Sequence, residues 1–557
     1  MLNPLKLAVV PLLHKALLAA YPQCSVSNII LDRPKDPSWG DISSNIALQL
    51  AKQLKQPPKT IAKNIVNYLV DNVLIASVSV AENGFINFKL SSSAFMDFLE
   101  IIDNKKDSYG CVEDKKGKVI VEFVSANPTG PLHVGHGRQG AIGDVLSNLM
   151  KNQGWEIHRE FYYNDAGNQI DKLAISVQAR IKGFSPEDTN WPNDGYQGDY
   201  IIDIASNYMN RQCIEVDGIT VEGKADPDDI EAICNFAVSF LRKEQNADLD
   251  LFDIVFDQFY LESSLYKEGT VNLVVNRLME QNKTYEHENA LWLKTTEYGD
   301  SKDRVMRKTD GSFTYFVPDV AYHLKKWKRG FKKAINIQGT DHHGTMIRVR
   351  AGLQGLGYDI PEDYPTYLMH SMVKVFRDSK EVKISKRAGS YVTLRDLIKW
   401  VGKDAVRFFL VSRKPDSELL FDIDLALKKS EDNPVFYVQY AHARAHSILN
   451  QAHKVGVSTC NLSGAELPEL SMQACLLINQ LAEFPDMLKK CVDELSPHLL
   501  PNYLRNLAAT FHGFYNAERV LVKDSIMRAI RMRMVIATKQ VLKIGFTMLG
   551  ISAPEQM

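Results

Sequence analysis

Apolar and polar positions change period several times along the chain, and each change marks an element. Helical spacing runs through Pro4–Ala20, Asp41–Leu54 and Thr60–Asn72, and the second of these sets Ile42, Ile46, Ala47 and Leu50 on one face. Alternating character over Ile75–Leu90, broken at Glu82-Asn83-Gly84, predicts two strands and a turn, so residues 1–108 read as an α+β domain. Charged, turn-rich Asp103–Lys118 reads as a linker. The short apolar run Val119–Val124, bounded by charge and then by turn residues, predicts a strand buried on both faces. Ser125–Pro131 must loop, and from His133 onward Val134, Ile142, Val145, Leu146 and Leu149 recur at helical spacing. A second strand, Glu156–Tyr163, and a loop with helix start, Asn164–Ile170, follow. That succession predicts a doubly wound, Rossmann-like parallel sheet over 118–400.

An insertion is expected at about 185–300, because Ser185–Ala225 is rich in Asp, Asn, Gly and Pro. Further strands are expected at Phe313–Val317, Lys333–Gln338 and Tyr367–Phe376. Residues 401–434 read as a connecting segment and 435–557 as an α-helical bundle.

The chemistry gathers where strand gives way to helix. A helix start above a parallel sheet turns its free N–H groups and positive dipole end toward any ligand there. His133 and His136 are three apart, so both rings stand on one face of the first turn, and Gly135 removes a side chain where a flat group could approach the backbone. The pair suits a nucleotide; a helix start with two partly exposed histidines fits the same four residues. Gly339 and Asp341, in Gly339–Met346 at a strand's carboxyl end, sit where doubly wound folds bind ligands, the carboxylate suiting a ribose hydroxyl or a helix cap. Lys383–Gly389, KISKRAG, sets Lys383, Lys386 and Arg387 around Ser385 in a loop able to wrap a triphosphate. Two carboxylates in the same region stand out, Glu122 and Asp319. Glu122 lies inside an apolar strand run, where it needs a partner: a ligand or a structural cation. Asp319, after Pro318, serves equally as a helix cap.

Ser125–Asp144, SANPTGPLHVGHGRQGAIGD, resembles the HIGH signature of class I aminoacyl-tRNA synthetases in the form found in arginyl-tRNA synthetases. KISKR resembles that family's KMSKS signature, with Ile384 for methionine and Arg387 where the signature has serine, which leaves the role of Arg387 open. Gly40–Lys52, Asn164–Ile170, Gly339–Met346, Asp432–Arg444 and Phe511–Asn516 are also similar to the family. The resemblance implies attachment of L-arginine to its tRNA through an arginyl-adenylate, with ATP, accompanied by Mg2+, as substrate and AMP and pyrophosphate released. It makes His133, Gly135, His136, Lys383, Ser385 and Lys386 catalytic. Ala126, Pro128, Thr129, Gly130, Leu132, Val134, Gly339, Asp341 and His342 would face ATP. Glu122 and Asn127 would bind the substrate α-amino and neighbouring groups, Tyr315 and Asp319 would grip the guanidinium, and Asn164, Asp165 and Gln169 would line the site. The N-terminal domain would touch the outer corner of tRNA, the helical domain would hold the anticodon stem-loop, and tRNA would be required before arginine is activated. A synthetase for another amino acid and a non-catalytic tRNA-binding relative are the rival readings.

Bulk composition changes little. The 557 residues suffice for roughly three or four domains. A formal net charge of −1 announces no nucleic-acid partner, so tRNA must be met by local patches. Candidates are Tyr437, Tyr440, His442, Arg444, Phe511, Phe514 and Tyr515, though for most of the aromatics core packing is the better reading. A basic face on Arg528, Arg531, Arg533, Lys539 and Lys543, and the run Lys325–Lys333, are others. The seven cysteines are scattered without a close pair, so neither a zinc site nor a disulfide framework is expected. The apolar N-terminus carries Lys6, His14 and Lys15 and reads as an amphipathic helix, not a membrane span or signal; a cytoplasmic monomer is expected.

Overall fold

The computed structural model describes residues 2–24, 28–69, 72–165, 167–340, 343–382, 392–457, 462 and 466–557, with the backbone alone at 343. Lys383, Ser385, Lys386, Asp341 and His342 therefore lie outside the described residues. The chain forms two compact units: Asp114–Lys428 with Leu495–His498, and Met1–Glu113 with Lys429–Glu494 and Leu499–Met557.

The first unit is built on five parallel strands: β1 (Gly117–Glu122), β2 (Trp155–Tyr163), β3 (Gln258–Leu261), β4 (Lys333–Gly339) and β5 (Thr366–His370). They lie in the order β5-β4-β1-β2-β3. The order runs outward in both directions from β1, so the topology switches between β1 and β4, where open α/β sheets bind ligands. Val119, Ile120 and Val121 are fully buried, as a strand covered on both faces requires. Helix α1 (Val134–Asn152) returns across β1 and packs closely, because a Cβ on Gly143 would overlap the Phe123 ring.

Three expectations are corrected here. Phe313–Val317 is no strand: Phe313 makes a single bridge to Arg307, and helix α3 (Phe316–Lys328) begins three residues later. Phe316, Val317, Val320, Ala321 and Leu324 are its buried face, and Pro318 in the first turn removes an N–H that has no helical partner. Tyr367–Phe376 is two elements: β5 ends at His370, and Val373–Arg377 pairs with Leu419–Asp422 in a separate sheet. The expected insertion is interrupted, because β3 rejoins the central sheet within it. Before β3, Tyr200–Met209, the hairpin Cys213–Glu222 and helix α2 (Ile230–Leu251) enclose their own core with Asn168–Ile181. After it, Thr284–His287, Ala290–Leu293 and Arg304–Arg307 form a small antiparallel sheet. Helices α4 (Leu394–Val401) and α5 (Lys403–Val411) close the unit.

In the second unit the N-terminal α+β domain carries a four-stranded antiparallel sheet. Its strands Ile75–Val80 and Ile86–Leu90 flank the expected turn. Helix Ile46–Leu54 starts later than the spacing suggested, because Ile42–Ser44 pairs with Ile86–Phe88. Ser92–Lys105 is a helix capped by Ser91, occupying the start of the stretch read as linker. Five helices, Pro434–Lys454, Met472–Ala482, Phe484–Asp493, Leu499–Ala517 and Ser525–Leu549, make the C-terminal bundle. Asn479 Nδ2 donates to Asp41 (2.7 Å) and the Tyr109 hydroxyl to the Leu481 carbonyl (3.1 Å), tying the two domains of this unit together. Phe511 and Phe514 are core residues. Tyr440 and Tyr515 are exposed, with the Arg444 guanidinium 4.6 and 4.9 Å from their ring centres. Part of the expected basic face is spent within the unit: Arg531 pairs with Glu518, and Lys543 with Asp107. No described helix is long and apolar enough to cross a membrane.

Arg407 of α5 is fully buried, pairs with Asp144 of α1 and donates to the Phe252 carbonyl at 2.7 Å. Removing Arg407 leaves the buried Asp144 carboxylate to the longer contact with Arg159 (3.5 Å). Arg407→Ala should lower the stability of this unit by about 3–5 kcal/mol, and the double variant Asp144→Leu/Arg407→Met should recover much of it, as read by denaturant unfolding.

Candidate active site

The crevice between β1 and β4 is floored by the loop after β1 and the start of α1. The chain leaves β1 through Val124 and Ser125, both at positive φ (67° and 41°), which turns it sharply off the sheet. His133 is the N-cap of α1. Its Nδ1 accepts the N–H of Gly135 (3.1 Å) and of His136 (3.4 Å), while its own N–H donates to His136 Nδ1 (3.3 Å). This reciprocal cap stacks the two rings 3.7 Å apart at 18°. With both Nδ1 atoms accepting, the hydrogen bonds assign the proton of each neutral ring to Nε2. A Cβ on Gly135 would come within 2.9 Å of the His133 ring, so this glycine makes room for the histidine itself.

The second motif leads back to the first. Val134 N–H donates to the Val392 carbonyl (3.3 Å), Leu394 N–H donates to the Leu132 carbonyl (2.8 Å), and His133 bridges Thr393. The residue that follows Lys383–Tyr391 is thus hydrogen-bonded to the helix start that carries the histidines. Gln139 of α1 donates to the Ile337 carbonyl of β4 (3.1 Å), spanning the switch point. Arg138, fully buried, donates to the carbonyls of Ser371, Ser417 and Lys414. Asn127 Nδ2 donates to Gln169 Oε1 (2.6 Å), which brings two expected site residues together. Asp165 accepts instead from the N–H and hydroxyl of Ser263, capping the helix after β3.

Beside this lies a buried group of charges. Glu122, last residue of β1, is 5% exposed. Its carboxylate accepts from Lys326 Nζ (2.5 Å) and from the Ser125 hydroxyl (3.2 Å). The strand glutamate therefore has a structural cation as partner, one of the two alternatives open from sequence. Lys326 also donates to Asn336 (3.2 Å) and lies 4.1 Å from the Tyr322 ring centre. Glu160 of β2 accepts from the Tyr322 hydroxyl (2.7 Å) and Arg329 (2.6 Å), and Glu262 from the Tyr162 hydroxyl (2.9 Å). Asp319, in the first turn of α3, is pushed up to about 7 by burial and then by Glu122 and Glu262, with Lys326 opposing. The side chain still keeps an accessible edge. Tyr315, at the N-cap of α3, is 77% exposed.

The chain is 53% identical over 558 residues to the arginine–tRNA ligase of Burkholderia cenocepacia, covering 95% of this chain and 94% of that one. The chain belongs to the arginyl-tRNA synthetase family. Models of this family match along its length: the arginyl tRNA synthetase N terminal domain at residues 9–90, the class I (R) tRNA synthetase catalytic domain at 99–415 and the DALR anticodon binding domain at 438–557. The arginine–tRNA ligase of Burkholderia vietnamiensis is 52% identical over 571 residues, 97% of this chain and 96% of that one. Among solved structures, an arginyl-tRNA synthetase from Campylobacter jejuni superposes with a TM-score of 0.75 at 31% identity, covering 84% of this chain and all of that one. The Thermus thermophilus arginyl-tRNA synthetase shares the fold at 22% identity, with a TM-score of 0.74 over 98% and 99% of the two chains.

Several residues of this family member's site escape the sequence reading. Lys326 sits in the run Lys325–Lys333, which reads as a solvated face or a tRNA contact. The run is largely consumed internally: Lys325 pairs with Glu268, Lys326 with Glu122, Arg329 with Glu160, and Lys332 stacks on Trp327. The available signal was spacing, since Lys326 follows Asp319 by seven residues and Tyr322 by four, on one helical face. Glu262 is the first residue of the short helix Glu262–Lys267 that follows β3, and no pattern marks it.

An acid pushed up to about 7 is half neutral near neutrality. A cationic substrate binds its ionised form, so arginine KM should fall as pH rises from 6 to 8. Asp319→Asn should flatten that profile and raise arginine KM about 10- to 100-fold, the worth of a charge-assisted hydrogen bond. The linkage has the opposite sign without substrate. With its native pKa above the unfolded value, Asp319 costs stability as pH rises from about 4 to 7, so Asp319→Asn should melt no lower than the parent at pH 8.

Proposed function

We propose that this chain joins L-arginine to its tRNA in the crevice between β1 and β4. The observation that supports this best is the main-chain pairing of Leu132–Val134 with Val392–Leu394, which ties the exit of one nucleotide motif to the entry of the other. The arginine carboxylate attacks the α-phosphorus of ATP, the bond to pyrophosphate breaks, and arginyl-adenylate forms. A ribose hydroxyl at the tRNA 3′ end then attacks the arginyl carbonyl, and AMP leaves with the bonding electron pair. The first step calls for in-line placement and stabilisation of charge on the leaving oxygens. The Nε2–H groups of His133 and His136 are suited to donate there, with Lys383, Lys386 and Ser385 acting from the second motif. Ala126, Pro128, Thr129, Gly130, Leu132, Val134, Gly339, Asp341 and His342 form the ATP-facing surface in this reading. Mg2+ comes as the counter-ion of the triphosphate and is part of that substrate.

The acidic group explains the choice of amino acid. Against Glu122, Glu160, Glu262 and Asp319 stand two cations, the buried Lys326 on Glu122 and the half-buried Arg329 on Glu160, while Glu262 is held by the Tyr162 hydroxyl. Ionisation of Asp319 is suppressed first by burial and then by Glu122 and Glu262, and a guanidinium supplies the positive charge that favours its ionised form in planar, bidentate geometry. Asp319 and Tyr315 take the guanidinium. Asn127, with Gln169 and Asn164, takes the α-amino end, and Glu122 acts there while held by Lys326. The protein works as a cytoplasmic monomer in this reading, its helical domain against the anticodon stem-loop.

Aminoacylation and ATP–pyrophosphate exchange assays across all amino acids, with and without tRNA, test the proposal. Arginine alone should be charged, and exchange should require tRNA; exchange with another amino acid, or none with any, would overturn it. His133→Asn keeps an acceptor for the helix cap and removes the Nε2–H. It should lower kcat for activation by about 10²- to 10³-fold while leaving arginine KM near the parent value.

A further inference from the structure

The two nucleotide motifs share a third element. Helix α2 reaches from the core of the inserted domain, where Ile233, Phe236, Ala237 and Leu241 are packed, to the crevice. At its crevice end Gln245 is fully buried, and its Nε2 donates to the carbonyls of Asn127 (3.1 Å) and Gly130 (2.8 Å), within the loop that precedes the histidines. One turn of the same helix holds Arg395 of α4: Asp248 accepts from Nε (2.5 Å), and Glu244 accepts from Nη1 (2.8 Å) and, through its carbonyl, from Nη2 (3.2 Å). Arg395 lies four residues beyond Tyr391, so α2 grips the first motif's loop with one side chain and the helix leaving the second motif with two others. Tyr200 of the same inserted domain adds a bond to the Thr129 carbonyl (2.9 Å).

We propose that α2 is a positioning strut for ATP, with Gln245 and the Arg395–Asp248–Glu244 clamp fixing the spacing between the Asn127–Gly130 loop and the start of α4. These residues act through others and touch no reacting atom. The donors on the two motifs must meet one triphosphate together, so a shift of about 1 Å in either loop is expected to cost about 10²-fold in rate. A bond to the loop carbonyls and a clamp on α4, taken apart, would secure each element separately; sharing one helical turn makes the distance between the Asn127–Gly130 loop and α4 a property of α2. The inserted domain thereby becomes part of the nucleotide site without contributing a residue to it.

The test is steady-state aminoacylation by the full-length enzyme with tRNA, arginine and ATP varied in turn. Gln245→Leu preserves bulk and removes both donors. It should lower kcat/KM for ATP by about 10²-fold, with arginine KM within about twofold of the parent and the melting temperature little changed. Arg395→Gln should show the same split, and Arg395→Lys, which keeps the charge but loses the fork, should recover part of it. The Gln245→Leu/Arg395→Gln double variant should lose less than the product of the single losses, since either cut frees the same spacing. Folded variants with parental ATP kinetics would overturn the strut, as would losses falling equally on arginine KM and melting temperature, or strictly multiplicative losses. If Gln245→Leu fails to fold, the partly exposed Arg395 pair of variants carries the comparison alone. The inference rests on ATP using both motifs: inactivity of the parent enzyme defeats that reading, whereas a parental profile in the variants defeats only the strut.

Discussion

Two main-chain hydrogen bonds, Val134 N–H to the Val392 carbonyl and Leu394 N–H to the Leu132 carbonyl, hold together stretches far apart in sequence. Each is an ordinary bond, worth about 1 kcal/mol net. Their importance is positional, because they join the beginning of α1 to the beginning of α4 at the mouth of the sheet's switch point. The close packing of Gly137 against Leu394, where a Cβ would come within 2.9 Å of the leucine side chain, secures the same contact from the apolar side. Arg138, the next residue, binds three carbonyls of the segments that lead into and follow the second motif. A fully buried guanidinium is costly to desolvate, and three carbonyl acceptors are a strong reason for retaining it.

The same logic governs the acidic group. Burying Glu122, Glu160 and Glu262 near Asp319 is unfavourable unless cations answer them. The fold answers only in part, with Lys326 and Arg329, and at Asp319 burial, followed by the charges of Glu122 and Glu262, suppresses ionisation. Glu160 sits on the other side of that division: burial works against its charge, but His158, Lys326 and Arg329 hold its carboxyl below the usual range. Two carboxyl groups in one pocket are therefore set to different protonation behaviour by their neighbours. The one left short of positive charge is the one with an accessible edge.

Residue pattern made the sheet legible where strands were long and covered on both faces. Val119–Val121 could be read because a continuous apolar run between turn signals has few other solutions, and Glu156–Tyr163, a mixed run ending in three aromatics, because it follows the helix at the place where a parallel sheet requires its next strand. The four-residue β3 could not, since its alternation is too short to distinguish from a loop, and its pairing with β2 is decided by tertiary context. Phe313–Val317 misled because a helix's first turn with two apolar residues before a proline has the same local composition as a strand. Histidine and lysine motifs declared themselves through spacing. Lys326, Gln245 and Arg395 did not, because a buried lysine in a basic run and a glutamine in a polar helix look like surface until their partners, distant in sequence, are in place. Glu122 was legible as an anomaly but its partner was not.

His133 shows how little separates folding chemistry from reaction chemistry here. Serine, threonine or asparagine would cap α1 at least as well, so capping alone does not account for a histidine at that position. The imidazole differs in having a second nitrogen. When Nδ1 accepts the helix N–H groups, the ring's proton is assigned to Nε2, and the bond that starts the helix also fixes which atom can donate. His136 is fixed the same way by the N–H of His133, and the absence of a side chain at Gly135 lets the rings lie face to face. Two donors with assigned tautomers, held at a helix start whose dipole favours anions, are obtained within four consecutive residues. That economy explains why the motif is short, and why its meaning is carried by spacing more than by surrounding sequence.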